Sequence, residues 1–303
     1  MARATEAPAL TDPVGGQDAP RRVPWGQVTL FAGLAYGLSW SWWAPLVVPR
    51  LGMVSLSGRL PDLSHSQGLA HLSLGMFGPL LAAVIMRLWV SREGLKGSLG
   101  VRRSWRYYLI AFAAPALFIA ALIAVDHVSG LGRFIWSRSL PFWTAYPVVV
   151  LLNAVIAIPV ALGEEYGWRG YLLPRLLPLG EIKATLLVGV VWATWHLPAL
   201  AIGLNYPGEP LWAALLVFAT NVLLLAFPFT WLYVASGGSP LVVAVLHATL
   251  DAAGDGFTTP AHIPHGRPLV VGGGGLVAAT LMLVIVGIRY GRQRFNRPRT
   301  DKS

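Results

Sequence analysis

Cysteine is absent from this 303-residue sequence, which removes disulfides, thiolate nucleophiles and Cys-based metal sites from its chemistry. Charge is scarce too: Asp, Glu, Lys and Arg make up 12% of the chain, about half the share of an ordinary soluble domain. Acids are the rarer sign, 13 against 23 Lys and Arg, for a formal net charge of +10. No apolar core with a small-residue cleavage site follows the start promptly. Residues 1–24 therefore read as a disordered cytoplasmic tail rather than a signal peptide. No internal repeat and no phosphate-binding loop stands out.

What fills the sequence instead is apolar. Hydrophobic residues reach 55%, and 13 Trp and 33 Gly accompany them; mean hydropathy is +0.60. Stretches of about 20 largely uncharged residues recur, the length a helix needs to cross a bilayer core. The expected fold is an all-α polytopic membrane protein: about eight transmembrane helices in a bundle with an internal polar cavity. The segments run from Gln27 to Val48, Leu69 to Val90, Tyr107 to Val125, Trp143 to Leu162, Ala184 to Leu204, Leu211 to Ala235, Pro240 to Ala253 and Pro268 to Ile288. Residues 25–140 hold the N-terminal spans, 141–256 the central spans and 257–290 the last span, with a run of four glycines, Gly272 to Gly275, read as close helix packing. Residues 291–303 form a basic cytoplasmic tail on the inner leaflet. Pro45, Pro79, Pro115, Pro147, Pro159, Pro198 and Pro228 fall inside these spans, where neighbouring groups in a bundle re-satisfy the freed carbonyls.

Lys and Arg concentrate in alternate loops. With the N-terminus inside, Arg92, Lys96, Arg102, Arg103, Arg106, Arg169, Arg175, Lys183 and the C-terminal cluster are cytoplasmic, and Arg50, Arg59, Arg133, Arg138 and Arg267 are outside. That asymmetry predicts a multi-pass protein of the cell membrane, a bacterial inner membrane by its composition, with both termini cytoplasmic. It assigns the basic balance to topology and anionic lipid and excludes nucleic acid as partner.

Against this apolar background, ionisable residues within spans point to function, because a charge loses hydration there that lipid does not replace. Gly163-Glu164-Glu165-Tyr166-Gly167-Trp168-Arg169-Gly170 sits where the fourth apolar run stops. Glu165 and Arg169, four apart, share a helix face and are expected to form an ion pair. Glu164 points about 100° away and stays available for chemistry. Trp192 and His196 share a face of the fifth span, and His247 and Asp251 a face of the seventh. Pro198 is expected to open the backbone beside His196. The other histidines, His65, His71, His127, His262 and His265, lie in loops or at span edges and read as solvated.

In order, Glu164-Glu165-x-x-x-Arg169, Trp192-x-x-x-His196 and His247-x-x-x-Asp251 resemble the three motifs of the CAAX-protease and bacteriocin-processing intramembrane peptidases, also called the Abi family. The resemblance covers roughly Pro141 to Gly256. Two positions depart from the common pattern: Trp192 stands where Phe is frequent, and Asp251 occupies a position taken by Asn or Asp. The resemblance implies hydrolysis of a peptide bond in a membrane-associated peptide or protein. Glu164 would activate water, His196, His247 and Asp251 would orient it or stabilise the oxyanion, and Glu165, Arg169 and Trp192 would support them. It leaves two options for cofactor: Zn2+ held by Glu164, His196 and His247, or metal-free glutamate-activated water.

Other chemistries fit the residues less well. His-Glu-x-x-His is absent, Val234 stands where a rhomboid-like loop around Ser236 needs glycine, and Ala252-Ala253-Gly254-Asp255 breaks the aspartyl Gly-x-Gly-Asp pattern. A transporter or proton relay using the same Glu, His and Asp residues is one alternative. A non-catalytic immunity or scaffold protein is the other.

Overall fold

The computed structural model describes residues 22–52, 54–60, 68–136, 141–257, 263 and 266–295. The N-terminal tail up to Arg21, Arg138, His65, His262, His265 and the basic tail beyond Phe295 lie outside them. Among the described residues there is no strand; the chain is a set of helices. The long ones are α1 (Trp25–Leu51), α4 (Trp105–Val128), α5 (Phe142–Gly167), α7 (Glu181–Trp195), α9 (Leu211–Ala235), α10 (Pro240–Phe257) and α11 (Leu276–Phe295). Between them come α2 (Gly68–Gly75), α3 (Gly78–Ile85), α6 (Leu173–Leu176) and α8 (Leu197–Ala201). Their outer sides expose leucine, valine, isoleucine and tryptophan in quantity, Ile156 at 75% and Leu117 at 69% for example, as expected where lipid replaces water as the solvent.

Four stretches are long and apolar enough to cross a membrane: Ala70–Val90, Trp105–Val128, Phe142–Leu179 and Leu211–Ala235. Pro240–Gly254 and Leu276–Tyr290 are shorter apolar helices. The molecule is thus an all-α, multi-pass membrane protein, with these four stretches and further shorter apolar helices among the described residues. The second expected span breaks after Gly75, so Pro79 lies in the first turn of α3, where its missing N–H has no helical partner to lose. The fifth breaks at His196. The eighth starts at Leu276 rather than Pro268, and Gly272 to Gly275 form turns ahead of it, because successive glycines each cost a helix about 1 kcal/mol. Tyr206 Oη and Asn221 Nδ2 donate to Gly274 O at 2.6 and 2.7 Å and fix that turn.

The fourth span is longer than its apolar run. Helix α5 continues past Leu162 through Glu164 and Glu165 to Gly167, then into a π-helical turn, Trp168–Leu172, and α6. Gly163 and Gly167 permit this course. A Cβ at Gly163 would meet Met76 O at 2.9 Å, and one at Gly167 would meet Pro79 Cβ at 2.5 Å. Two glycines four apart therefore let the start of α3 lie directly on the turn that carries the carboxylates. On its other side α5 packs against α10, which also contacts α4, while α7 packs on α9 and α1 on α3. The frame brings one turn of α5, the C-terminal end of α7 and the middle of α10 to a common depth.

Candidate active site

The first motif is buried rather than a solvated helix end: Glu164 is 3% exposed, Glu165 and Arg169 are 0%. Arg169 Nη1 donates to both carboxylate oxygens of Glu165, at 2.8 and 2.9 Å, as the four-residue spacing predicts. Its guanidinium lies between two rings, 4.4 Å from the Trp192 centroid and 4.6 Å from that of Phe229. Among the described residues Arg169 Nε and Nη2 have no hydrogen-bond partner, and the aromatic faces supply the remaining stabilisation by cation–π attraction. Phe229 escaped sequence reading because one phenylalanine in an apolar span carries no signal of its own.

Trp192 is the centre of the cluster. Its Nε1 donates to Glu164 Oε2 at 2.7 Å, while among the described residues no donor reaches Oε1. Its backbone carbonyl accepts from His196 Nδ1 at 2.8 Å. A carbonyl only accepts, so Nδ1 of His196 carries the hydrogen, and its Nε2 is the nitrogen left for chemistry. The Trp192 ring also stands edge to face with His247 at 5.5 Å. A phenylalanine would fill the same space without the donor, so the departure from the common motif has a physical consequence.

His196 terminates α7 as its C-cap, and α8 begins at Leu197 with Pro198 in its first turn. The break expected from Pro198 is therefore present. Helix α1 secures it from outside: Trp40 Nε1 donates to Trp195 O at 2.9 Å and Tyr36 Oη to Val191 O at 2.6 Å. Carbonyls at a helix end need such partners when no water is available.

His247 bridges two carboxylates. Its Nδ1 donates to Glu165 Oε1 at 2.9 Å, and its Nε2 lies 3.6 Å from Asp251 Oδ2. The second distance is too long for a direct hydrogen bond, so Asp251 acts on His247 through charge. Asp251 is the outermost member, with a side chain 49% exposed against 9% for His247. The structure thus gathers Glu164, Glu165, Arg169, Trp192, His196 and His247 in one buried group and places Asp251 at its rim.

The remaining expected residues serve elsewhere. His71 Nε2 donates to Trp42 O at 2.6 Å with the two rings stacked, and His127 Nδ1 accepts from the Phe134 amide at 3.3 Å, so both have local protein partners. Ser236 Oγ donates back to Tyr233 O at 3.0 Å at the end of α9. The side chain of Asp255 is outside the described residues.

A zinc ion needs three or four donors converging on one point. Among the described residues no three His, Asp or Glu side chains converge as ligands, because Glu164 is held by Trp192 and His247 is turned between Glu165 and Asp251. In this arrangement Glu164, His196 and His247 do not fit a zinc ion.

Comparison with known proteins meets the same segment. Residues 142–253 match the family described as type II CAAX prenyl endopeptidase Rce1-like. A CAAX prenyl protease 2 of Methanococcus maripaludis is 26% identical over 141 residues, covering 45% of this chain and 50% of that protein. The chain therefore spans about half the length of the curated relative it matches. All three motifs lie inside the matched segment, so the part of the chain that carries them is similar to the type II CAAX prenyl endopeptidases.

Proposed function

We propose that this protein is an intramembrane endopeptidase that hydrolyses a peptide bond of a membrane-associated peptide or protein with water activated by Glu164. The observation that carries the reading is the buried glutamate whose Oε2 is tethered by Trp192 while no donor among the described residues reaches Oε1. Oε1 would take a proton from water as the water oxygen bonds to the scissile carbonyl carbon. The carbonyl π electrons move onto oxygen; His247, set between Glu165 and Asp251, would as an imidazolium donate from Nε2 to that developing charge where little water competes, while the Nε2 lone pair of His196 would accept from the attacking water and orient it. Collapse breaks the C–N bond, and the proton held by Glu164 passes to the leaving amine. Asp251, at the exposed rim, would orient water on its way to His247. Both termini would be cytoplasmic, by the distribution of Lys and Arg.

The substrate follows from comparing membrane peptides in cells carrying the intact chain with those in cells carrying Glu164→Gln. A peptide pair appearing as cut and uncut forms between the two is the expected result; identical peptide populations would remove the peptidase reading. A transporter would instead accumulate solute in vesicles, which Glu164→Gln would abolish.

Two further outcomes test the chemistry. Purified protein is expected to retain full cleavage after exhaustive chelation, and loss restored by added Zn2+ would return the metal alternative. Trp192→Phe keeps the ring between Arg169 and His247 and removes the donor to Glu164. Hydrogen bonds to charged groups contribute about 1.5 kcal/mol or more, so cleavage should fall about tenfold in the folded variant. An unchanged rate would show that the tether is dispensable.

A further inference from the structure

Between the π-helical turn Met86–Val90 and α4, residues 91–104 form a strap across one end of the bundle. It is fastened at three places. Glu93 is shared by two guanidinium groups: Arg87 Nη1 donates to its Oε2 at 2.8 Å, and Arg175 Nη2 donates to its Oε1. The hydroxyls of Ser98 and Tyr166 are 2.7 Å apart, and Ser239 Oγ donates to Gly100 O at 2.8 Å. At Gly100 the backbone has φ +60°, and a Cβ would lie 2.8 Å from Ser239 Cα, so glycine is needed there for both conformation and approach. Glu93, the strap's only acid, is fully engaged on its inner side.

The outward side carries Arg92, Lys96, Arg102 and Arg103, with Arg106 just beyond in the first turn of α4, all exposed. None of the five has an ion-pair partner among the described residues. Exposed apolar residues alternate with them: Leu95, Leu99 and Val101, flanked by Trp89 and Trp105, the last 68% exposed. The strap joins two membrane-crossing stretches, Ala70–Val90 and Trp105–Val128, so it must lie at the level where those helices leave the bilayer core. Cations beside apolar and indole side chains at that level suit the headgroup layer, where tryptophan straddles the interface and Lys and Arg meet phosphate. At the far end of α4 the cations are spread out, and Arg267 is already paired with Glu209 at 2.7 Å.

We infer that residues 91–106 are a docking surface for the headgroups of anionic phospholipids. The surface is preformed, because its fastenings leave the strap one course across the bundle. It also adjoins the candidate active site: Ser98 bonds Tyr166, two residues beyond Glu164, and Arg87 Nη2 donates to Gly170 O at 2.7 Å, one residue beyond Arg169. Lipid held on the strap would therefore restrain the turn of α5 that carries Glu164.

Native mass spectrometry of the full chain in detergent, titrated with dioleoylphosphatidylglycerol or dioleoylphosphatidylcholine, tests the proposal without reference to activity. Each cation near an anionic surface is worth a factor of about five, so the anionic lipid should bind at least about tenfold more tightly. The combined variant Arg92→Gln, Lys96→Gln, Arg103→Gln should lose most of that preference with an unchanged thermal unfolding midpoint. Arg133→Gln, beyond the other end of α4, should keep it. If the combined variant does not fold, Lys96→Gln and Arg103→Gln taken singly should each weaken the preference severalfold. Equal binding of the two lipids by the unmodified chain, or a preference that survives these substitutions, would overturn the proposal.

Discussion

Glu164→Gln is expected to lower peptide-bond cleavage about a thousandfold while leaving the protein folded. The amide has nearly the volume of the carboxylate, and its carbonyl oxygen still accepts from Trp192 Nε1, so the surroundings of the side chain are preserved. What it cannot do is hold the proton of an attacking water. Single-turnover cleavage of a membrane peptide in proteoliposomes reads the effect directly. Ser236→Ala provides the contrast: that hydroxyl is turned to the Tyr233 carbonyl at the end of α9, and its removal should leave the rate unchanged. If Ser236→Ala silences the protein and Glu164→Gln does not, the nucleophile has been assigned to the wrong helix.

The largest effect on stability should come from Arg169→Met. Arg169 and Glu165 are completely buried, and removing the guanidinium leaves Glu165 with His247 as its remaining partner. Breaking a buried ion pair on one side typically costs about 3–5 kcal/mol, more than removing both charges together, since the surviving charge stays unpaired in low dielectric. The double variant Glu165→Gln with Arg169→Met should therefore recover a substantial part of the loss. Reversible unfolding in mixed micelles measures both. A single variant as stable as the parent would mean that the Trp192 and Phe229 rings, not the ion pair, hold this corner. The cleavage rate of the double variant should stay low, because His247 loses the carboxylate that orients its Nδ1.

Much of this was legible in the chain. The Glu165–Arg169 pair, the shared face of His247 and Asp251, and the break at Pro198 follow from a 3.6-residue period and from proline's missing N–H, both local properties. The approach of α3 to Gly163 and Gly167 was not read, although two glycines four apart flank the carboxylates; a small-residue pair becomes meaningful once the partner helix is known. Burial of Glu164 was not legible either. The aromatic and basic residues following it, Tyr166, Trp168, Arg169 and Tyr171, have the composition of an interface, and only their packing against α1, α3 and α9 removes them from it.

By itself the sequence determined that this is a helical membrane protein with ionisable groups on separate helices, because hydrophobic length and periodicity are written along the chain and need no partner. The tertiary structure decided which of those groups meet. The Trp192 hydrogen bond to Glu164 and the bridge from His247 to Glu165 join residues 28 and 82 positions apart, and hydrogen bonds act only over about 3 Å. Contacts of that range depend on how α5, α7 and α10 cross, which no single helix encodes.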